Sequence, residues 1–266
     1  MNMKIGFIGM GNMAGAIAGG ILKAGIVAPG EICFFDVSEA AIEHGKALGF
    51  TAFSDENDVV KNSEYVFLCV KPQSFTEVLS KIKGSVSDKN MFLTIAAGIK
   101  ISSITSAVGD VAVIRAMPNT PLLMGCGAVA LTKNEKATQT QFDFIKLIFE
   151  SVGTVYELPE NKFNEVINVN GSTPAYIYLF AKTVADYAVE SGIPFEIALP
   201  MFCDTLKGSA EMLTKSGKTP DELITMVSSK GGTTVAAMNK FAETGFADSL
   251  RAGMKACVDR AYELSI

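Results

Sequence analysis

One histidine, His44, serves a chain of 266 residues, and that scarcity removes whole classes of chemistry. A Ser-His-Asp triad or a His-rich zinc site would have to rest on this residue alone. His44 falls in a helical pattern (Ala40, Ala41, His44, Leu48) beside Glu43 and Lys46, which reads as exposed surface, so no metal site is expected. Nor is there a CxxC pair. The five cysteines (Cys33, Cys69, Cys126, Cys203, Cys257) stand apart, several in apolar segments where a reduced thiol behaves as a small hydrophobe, and this suits a reducing cytosol. No block of Lys or Arg occurs, and 28 acidic residues against 23 basic ones leave a formal charge of −5, so nothing supplies an electrostatic footprint for nucleic acid or an anionic membrane. No apolar stretch approaches the ~20 residues that cross a bilayer, and Met1 to Met10 has neither the basic nor the long apolar part of a signal peptide. A cytoplasmic protein without nucleic-acid or membrane partners is expected.

What is present is globular: 48% hydrophobic residues and 24 glycines, enough for one large or two medium domains. Lys4 to Ile8 reads as a buried strand, Asn12 to Lys23 as a helix and Glu31 to Phe35 as a second strand, a compact βαβ opening. Helical spacing from Glu39 to Leu48 follows. Apolar runs then recur at Tyr65 to Val70, Met91 to Ile95, Val111 to Ala116, Ala128 to Leu131 and Thr154 to Tyr156, separated by helical segments such as Phe75 to Ile82. Strands alternating with helices imply a mostly parallel sheet covered on both faces. Beyond about residue 160 strand-like runs stop, giving two domains, 1–160 and 161–266. Pro174, Pro194 and Pro220 suit helix openings, while Pro200 is expected to kink or restart a helix. Phe246, Leu250, Met254, Cys257, Ala261 and Leu264 form one stripe along a final helix. Gly208, Ser209 and Ala210 permit close helix approach, and a helical half of this size suggests burial against a second copy, a homodimer or higher homo-oligomer.

Gly9-Met10-Gly11-Asn12-Met13-Ala14 follows a strand, opens a helix and precedes Asp36 at the end of the second strand. Gly9 permits the tight turn, Gly11 lets the backbone approach a pyrophosphate, and Ala14 keeps helix and strand close. The pattern predicts dinucleotide binding. The Asp36 carboxylate can accept from an adenosine ribose and would repel a 2′-phosphate, favouring NAD(H), with NADP(H) as the second candidate. Val70-Lys71-Pro72-Gln73, Ala96-Ala97-Gly98 and Met117-Pro118-Asn119-Thr120-Pro121 each follow a strand at the edge where such folds bind ligands. Near the other end of the chain, Ser229-Lys230-Gly231-Gly232-Thr233-Thr234 precedes an apolar helical run (Val235, Met238, Phe241). Its unpaired backbone N–H groups would receive a second anion, most naturally the carboxylate of a small-molecule substrate.

GFIGMGNMAGAI at 6 to 17, VKPQ at 70 to 73, RAMPNTP at 115 to 121, Gly171-Ser172-Thr173-Pro174-Ala175-Tyr176 and SKGGTT at 229 to 234 occur in the order of pyrroline-5-carboxylate reductase, and the chain resembles that family through nearly its whole length. The resemblance implies an N-terminal Rossmann, doubly wound α/β domain followed by an all-α dimerisation domain, and reduction of 1-pyrroline-5-carboxylate to L-proline with NAD(P)H. It further implies that Ile8, Gly9, Met10, Gly11, Asn12 and Met13, with Cys69, Val70, Lys71 and Pro72 and with Ile95, Ala96 and Ala97, line the nicotinamide cofactor, as does Asn119. Glu56 stands where an asparagine often meets the adenosine ribose. Ser229, Gly231, Gly232, Thr233 and Thr234 would hold the substrate carboxylate, with the Thr234 hydroxyl near the ring nitrogen as the catalytic contact. The chain departs from the usual pattern at Thr173, Lys182, Lys230 and Ala247. Three other readings share the framework: a reductase of a related cyclic imine, a β-hydroxyacid dehydrogenase using a lysine base, for which only Lys182 is near, and a dinucleotide-binding regulator that turns nothing over.

Overall fold

The computed structural model describes residues 3–265, so the reading of the first ten residues is taken up from Met3 onward. By compactness the chain forms two units, one built from residues up to Ser172 together with those from Cys257 on, the other from Thr173–Ala256.

The first unit is built on an eight-stranded sheet. Its strands are β1 (Met3–Ile8), β2 (Ile32–Phe35), β3 (Thr51–Ala52), β4 (Ser63–Leu68), β5 (Met91–Thr94), β6 (Ala112–Met117), β7 (Gly127–Lys133) and β8 (Gly153–Glu157). Their order is β3-β2-β1-β4-β5-β6-β7-β8, parallel throughout except where β6 meets β7. Alternation along the strands fills both faces. Ile5 and Phe7 of β1 and Tyr65 and Phe67 of β4 enter one core with helices α1 (Asn12–Lys23) and α6 (Gln139–Glu150); Ile8, Val66 and Leu68 enter the other, beneath α3 (Glu56–Asn62), α4 (Phe75–Ile82) and α5 (Ile101–Val108). Each fully buried Phe or Ile adds roughly 1.5–3 kcal/mol over its exposed state. The strand expected from Glu31 starts one residue later, because Pro29–Glu31 turns as a 3-10 helix whose Glu31 carboxylate accepts the Ala28 N–H at 3.0 Å. Helix α2 (Glu39–Ala47) carries His44 exposed.

After β8 the chain remains against the sheet. Phe163 is fully buried, and Asn170 donates from its side-chain amide to the Met117 carbonyl at the end of β6. The last turns of α11 (Phe246–Leu264) belong here too. Tyr262 donates to the Glu165 carboxylate at 2.6 Å, Ser172 and Cys257 join oxygen to sulfur at 3.2 Å, and a side chain on Gly98 would strike the Leu264 carbonyl.

The second unit contains α7 (Thr173–Glu190), α8 (Phe195–Lys215), α9 (Pro220–Met226), α10 (Thr233–Glu243) and the start of α11. Pro174 lies in the first turn of α7, Pro194 caps α8 and Pro220 begins α9. Pro200 does not restart α8, which runs unbroken through it: a proline in the second turn forfeits one backbone bond, which the remaining turns outweigh. Within this unit only Pro174, Ala185 and Ala198 are buried among the described residues, while Ile177, Leu179, Phe180, Ile197, Met201 and Leu213 stand exposed. Among the described residues no helix is long and apolar enough to cross a membrane, and no cluster of His, Cys, Asp or Glu could hold a metal ion.

Candidate active site

The loop joining β1 to α1 is shaped by steric limits. Gly9 has φ +92°, and a Cβ there would lie 2.9 Å from the Cys69 carbonyl carbon and oxygen, so only glycine fits. Its N–H donates to Phe35 O at 2.8 Å, while the Cys69 N–H donates to Ile8 O at 2.8 Å, so the loop is stitched to its neighbours on both sides. Gly11 is the N-cap of α1 and supplies no side-chain cap, leaving the N–H groups of the first turn directed at whatever sits before them. Asp36 follows β2 directly; its Oδ2 accepts the Met10 N–H at 2.6 Å and its Oδ1 the Ser38 N–H at 2.8 Å. Met10, Gly11, Asn12, Asp36, Ser38 and His44 line a cavity of about 630 Å³.

A second cavity of the same unit, about 380 Å³ and largely apolar, opens where β4, β5 and β6 end. Pro72, Ala97, Gly98, Met117 and Phe163 line it, with Cys257, Ala261 and Leu264 of α11. Of the remaining residues expected at the cofactor, Met13 is partly buried behind the loop, Val70 and Ile95 pack partly on the core, and the Ala96 N–H donates to Thr94 Oγ1 at 3.2 Å. Lys71 is exposed before the 3-10 turn Pro72–Ser74. Burial pushes the Cys69 thiol up, so it is held as the neutral thiol. Two expected residues are engaged elsewhere. Asn119 Oδ1 accepts the Ala128 N–H at 2.9 Å and pins the turn into β7, and Glu56, 5% exposed, pairs with Lys81 at 3.2 Å.

In the second unit, Ser229 to Gly232 form a tight turn in which the Gly232 N–H donates to Ser229 O at 2.9 Å. Gly231 takes φ +73°, and a Cβ on Gly232 would lie 2.6 Å from Ser229 Oγ. Gly232 is the N-cap of α10 and brings no side chain to it; the first helical bond runs from Ala236 N–H to Gly232 O at 3.2 Å. The amides of Thr233 and Thr234 thus lie in an uncapped first turn, where the helix dipole favours an anion. Thr234 is half-buried and Thr233 and Lys230 are exposed. Lys182 forms an exposed ion pair with Asp186 one turn along α7.

The bracing of the sheet edge by Arg115, Glu160 and Phe163 was not foreseen. Arg115 on β6 is 2% exposed, pairs with Glu160 at 3.2 Å and lies 4.7 Å over the Phe163 ring. Burial lowers its pKa from the ordinary arginine value, and the Glu160 carboxylate partly restores it. Glu160 Oε1 also accepts the Ile101 N–H at 2.7 Å at the head of α5. A basic residue inside the run VAVIRAM was the one available signal, since a charge in a buried strand requires a partner.

Residues 160–264 match the family model described as pyrroline-5-carboxylate reductase dimerisation, and residues 4–98 match one described as NADP oxidoreductase, coenzyme F420-dependent. The pyrroline-5-carboxylate reductase of Escherichia coli K12 is 35% identical over 100% of this chain and 99% of its own, and that of Arabidopsis thaliana is 34% identical over 99% and 96%. Among solved structures, the pyrroline carboxylate reductase of Plasmodium falciparum, determined with NADP bound, superposes with a TM-score of 0.91 at 27% identity, covering 100% of this chain and 99% of that one. The Streptococcus pyogenes enzyme gives 0.90 at 30% identity, covering 98% and 99%. A prephenate dehydrogenase from Aquifex aeolicus, at 17% identity and a TM-score of 0.53, shares the fold alone. With its loops, its uncapped helix starts and a full-length match at this identity, the chain belongs to the pyrroline-5-carboxylate reductase family.

Proposed function

We propose that this protein is an NAD(P)H-dependent oxidoreductase that reduces 1-pyrroline-5-carboxylate to L-proline. One observation carries the reading: in a chain of this family, two of the helix starts without a side-chain cap follow glycine-rich turns, one behind the Gly9–Gly11 loop and one behind Gly231-Gly232. The residues fit a dinucleotide, since the cradle at Gly9 has no room for a side chain and the α1 amides are free to meet a pyrophosphate. Ile8 to Met13 would hold the phosphates; Cys69 to Pro72, Ile95 to Ala97 and Asn119 would line the nicotinamide half. Once bound, that cofactor supplies a hydride. An iminium carbon is already electrophilic, so the protein's task is to orient and to exclude water, and the lack of a histidine base is no obstacle.

Ser229, Gly231, Gly232, Thr233 and Thr234 would bind the substrate carboxylate through backbone amides. In this reading the Thr234 hydroxyl would hydrogen-bond the ring nitrogen, and Thr234 is the residue proposed for a catalytic role. NAD(H) is preferred in this reading, because the Asp36 carboxylate would repel a 2′-phosphate. Glu56 contributes less to that preference than Asp36, its charge being offset by Lys81. The exposed apolar residues of the second unit are assigned to a homodimer, and the free cysteines to the reducing cytoplasm. Lys182 is a poor candidate for a hydroxyacid base, being exposed and paired to Asp186.

Purified protein supplied with NADH or NADPH and either 1-pyrroline-5-carboxylate or other cyclic imines, and separately with NAD+ or NADP+ and a β-hydroxy acid, separates the readings. Loss of reduced-nicotinamide absorbance with the carboxylated five-membered imine, at lower KM for NADH, is the expected result. Turnover of a hydroxy acid alone, or binding without turnover, would overturn it.

A further inference from the structure

The glycine-rich loop is held by two backbone bonds that any sequence could supply, Gly9 N–H to Phe35 O and Cys69 N–H to Ile8 O, and by one side chain. That side chain is Asp36. One oxygen takes the Met10 N–H at 2.6 Å and the other takes the Ser38 N–H at 2.8 Å, so one carboxylate joins the β1–α1 loop to the β2–α2 loop. Among the described residues no other side-chain bond is seen to fix the loop at its helix end, and Gly11 caps α1 without one. A carboxylate beside an anion-receiving helix start is electrostatically unfavourable for the guest. Its presence therefore calls for a compensating gain, and the two charge-assisted bonds supply one: they fix in advance the shape that a pyrophosphate would otherwise have to impose, removing an ordering cost from binding.

We propose that Asp36 is a positioning residue that holds the glycine-rich loop in its phosphate-receiving shape, beyond any contact it makes with a ribose; this rests on the reading that the loop receives the dinucleotide. The gain applies to NADH and NADPH alike, because both bring the same pyrophosphate to the same amides. An alanine accepts from neither amide, so the link between the two loops is lost.

The test is Asp36→Ala, which removes both acceptors, followed by steady-state kinetics and by amide hydrogen exchange at Met10 in the unliganded protein. Expected are at least tenfold faster exchange at Met10, a roughly tenfold rise in KM for NADH, no change in KM for the imine, and no gain for NADPH despite the lost charge. Wild-type exchange at Met10 together with a lower KM for NADPH would overturn the proposal, leaving Asp36 as a charge discriminator only. If the variant does not fold, exchange in the wild type decides: a protected Met10 amide supports the brace, and one exchanging like an exposed amide overturns it. A wild-type protein that binds neither dinucleotide would sink the functional reading, and Met10 exchange would still decide the brace.

Discussion

Gly9 and Thr234 carry the sharpest consequences of single side chains. Gly9→Ala adds a methyl group 2.9 Å from the Cys69 carbonyl at φ +92°, and should cost about 2 kcal/mol, a fall in melting temperature of roughly 4–8 °C, as read by thermal unfolding. Thr234→Ala would remove the proposed hydrogen bond to the substrate; kcat should fall about 10–100-fold while the Kd for NADH, followed by fluorescence, stays within about twofold. An unchanged kcat would strip Thr234 of its role. At this scale the glycines were readable in the sequence, because a positive φ and a close backbone approach leave one residue type to choose. Asp36 was readable as the acid ending the second strand but its bond to Met10 was not, since a side chain's partners across 26 positions are fixed by the sheet register rather than by spacing.

Among the elements, α1 and α4 could be bounded to the residue, because apolar spacing and flanking turn residues agree there. The short α3 and the two-residue β3 carry too few turns or alternations for a period to emerge, and both went unread. The return of the end of α11 to the first unit was also hidden: the stripe from Phe246 to Leu264 is continuous, and nothing in it marks Cys257 as the point where its neighbours change. The Tyr262–Glu165 bond fixes that end and gives a pH signature. The Tyr262 hydroxyl bond holds the Glu165 carboxyl below the ordinary value of 4.5. A depressed acid stabilises the fold above its unfolded pKa, and that share is lost as pH falls through the lower folded value. Tyr262→Phe should thus melt below the wild type near pH 7, and the difference should shrink as pH falls below the ordinary carboxyl range and close once Glu165 is protonated in both proteins. The buried Arg115 predicts a steeper effect. Glu160→Gln leaves its guanidinium with a neutral partner and should cost about 2–3 kcal/mol in denaturant unfolding, less than for a fully buried pair because Glu160 is 33% exposed.

Taken whole, the chain divides its labour: the first unit closes two cores over a sheet and leaves a ligand edge, while the second exposes most of its apolar surface. Leu179 is 66% exposed and Met201 64%, values that a helical unit ending its packing at its own surface would not need. Leu179→Glu costs nothing if that surface faces water; in a homodimer it buries a charge at the interface. Sedimentation at micromolar concentration should therefore show a dimer for the wild type and a monomer for the variant, and identical behaviour of the two would place the interface elsewhere. The two-part architecture was legible from the end of strand-like runs near residue 160, because period 2 and period 3.6 are distinct; which surface the helices cover was not, since a stripe records that a face is apolar and not what meets it. The central claim is a hydride delivered to a carboxylated cyclic imine, and NADH carrying deuterium at both hydrogen positions of C4 of the dihydronicotinamide tests it most directly. Proline carrying deuterium at the ring carbon across the nitrogen from the carboxylate-bearing carbon is the predicted product, and proline without label, or no proline at all, would contradict the account.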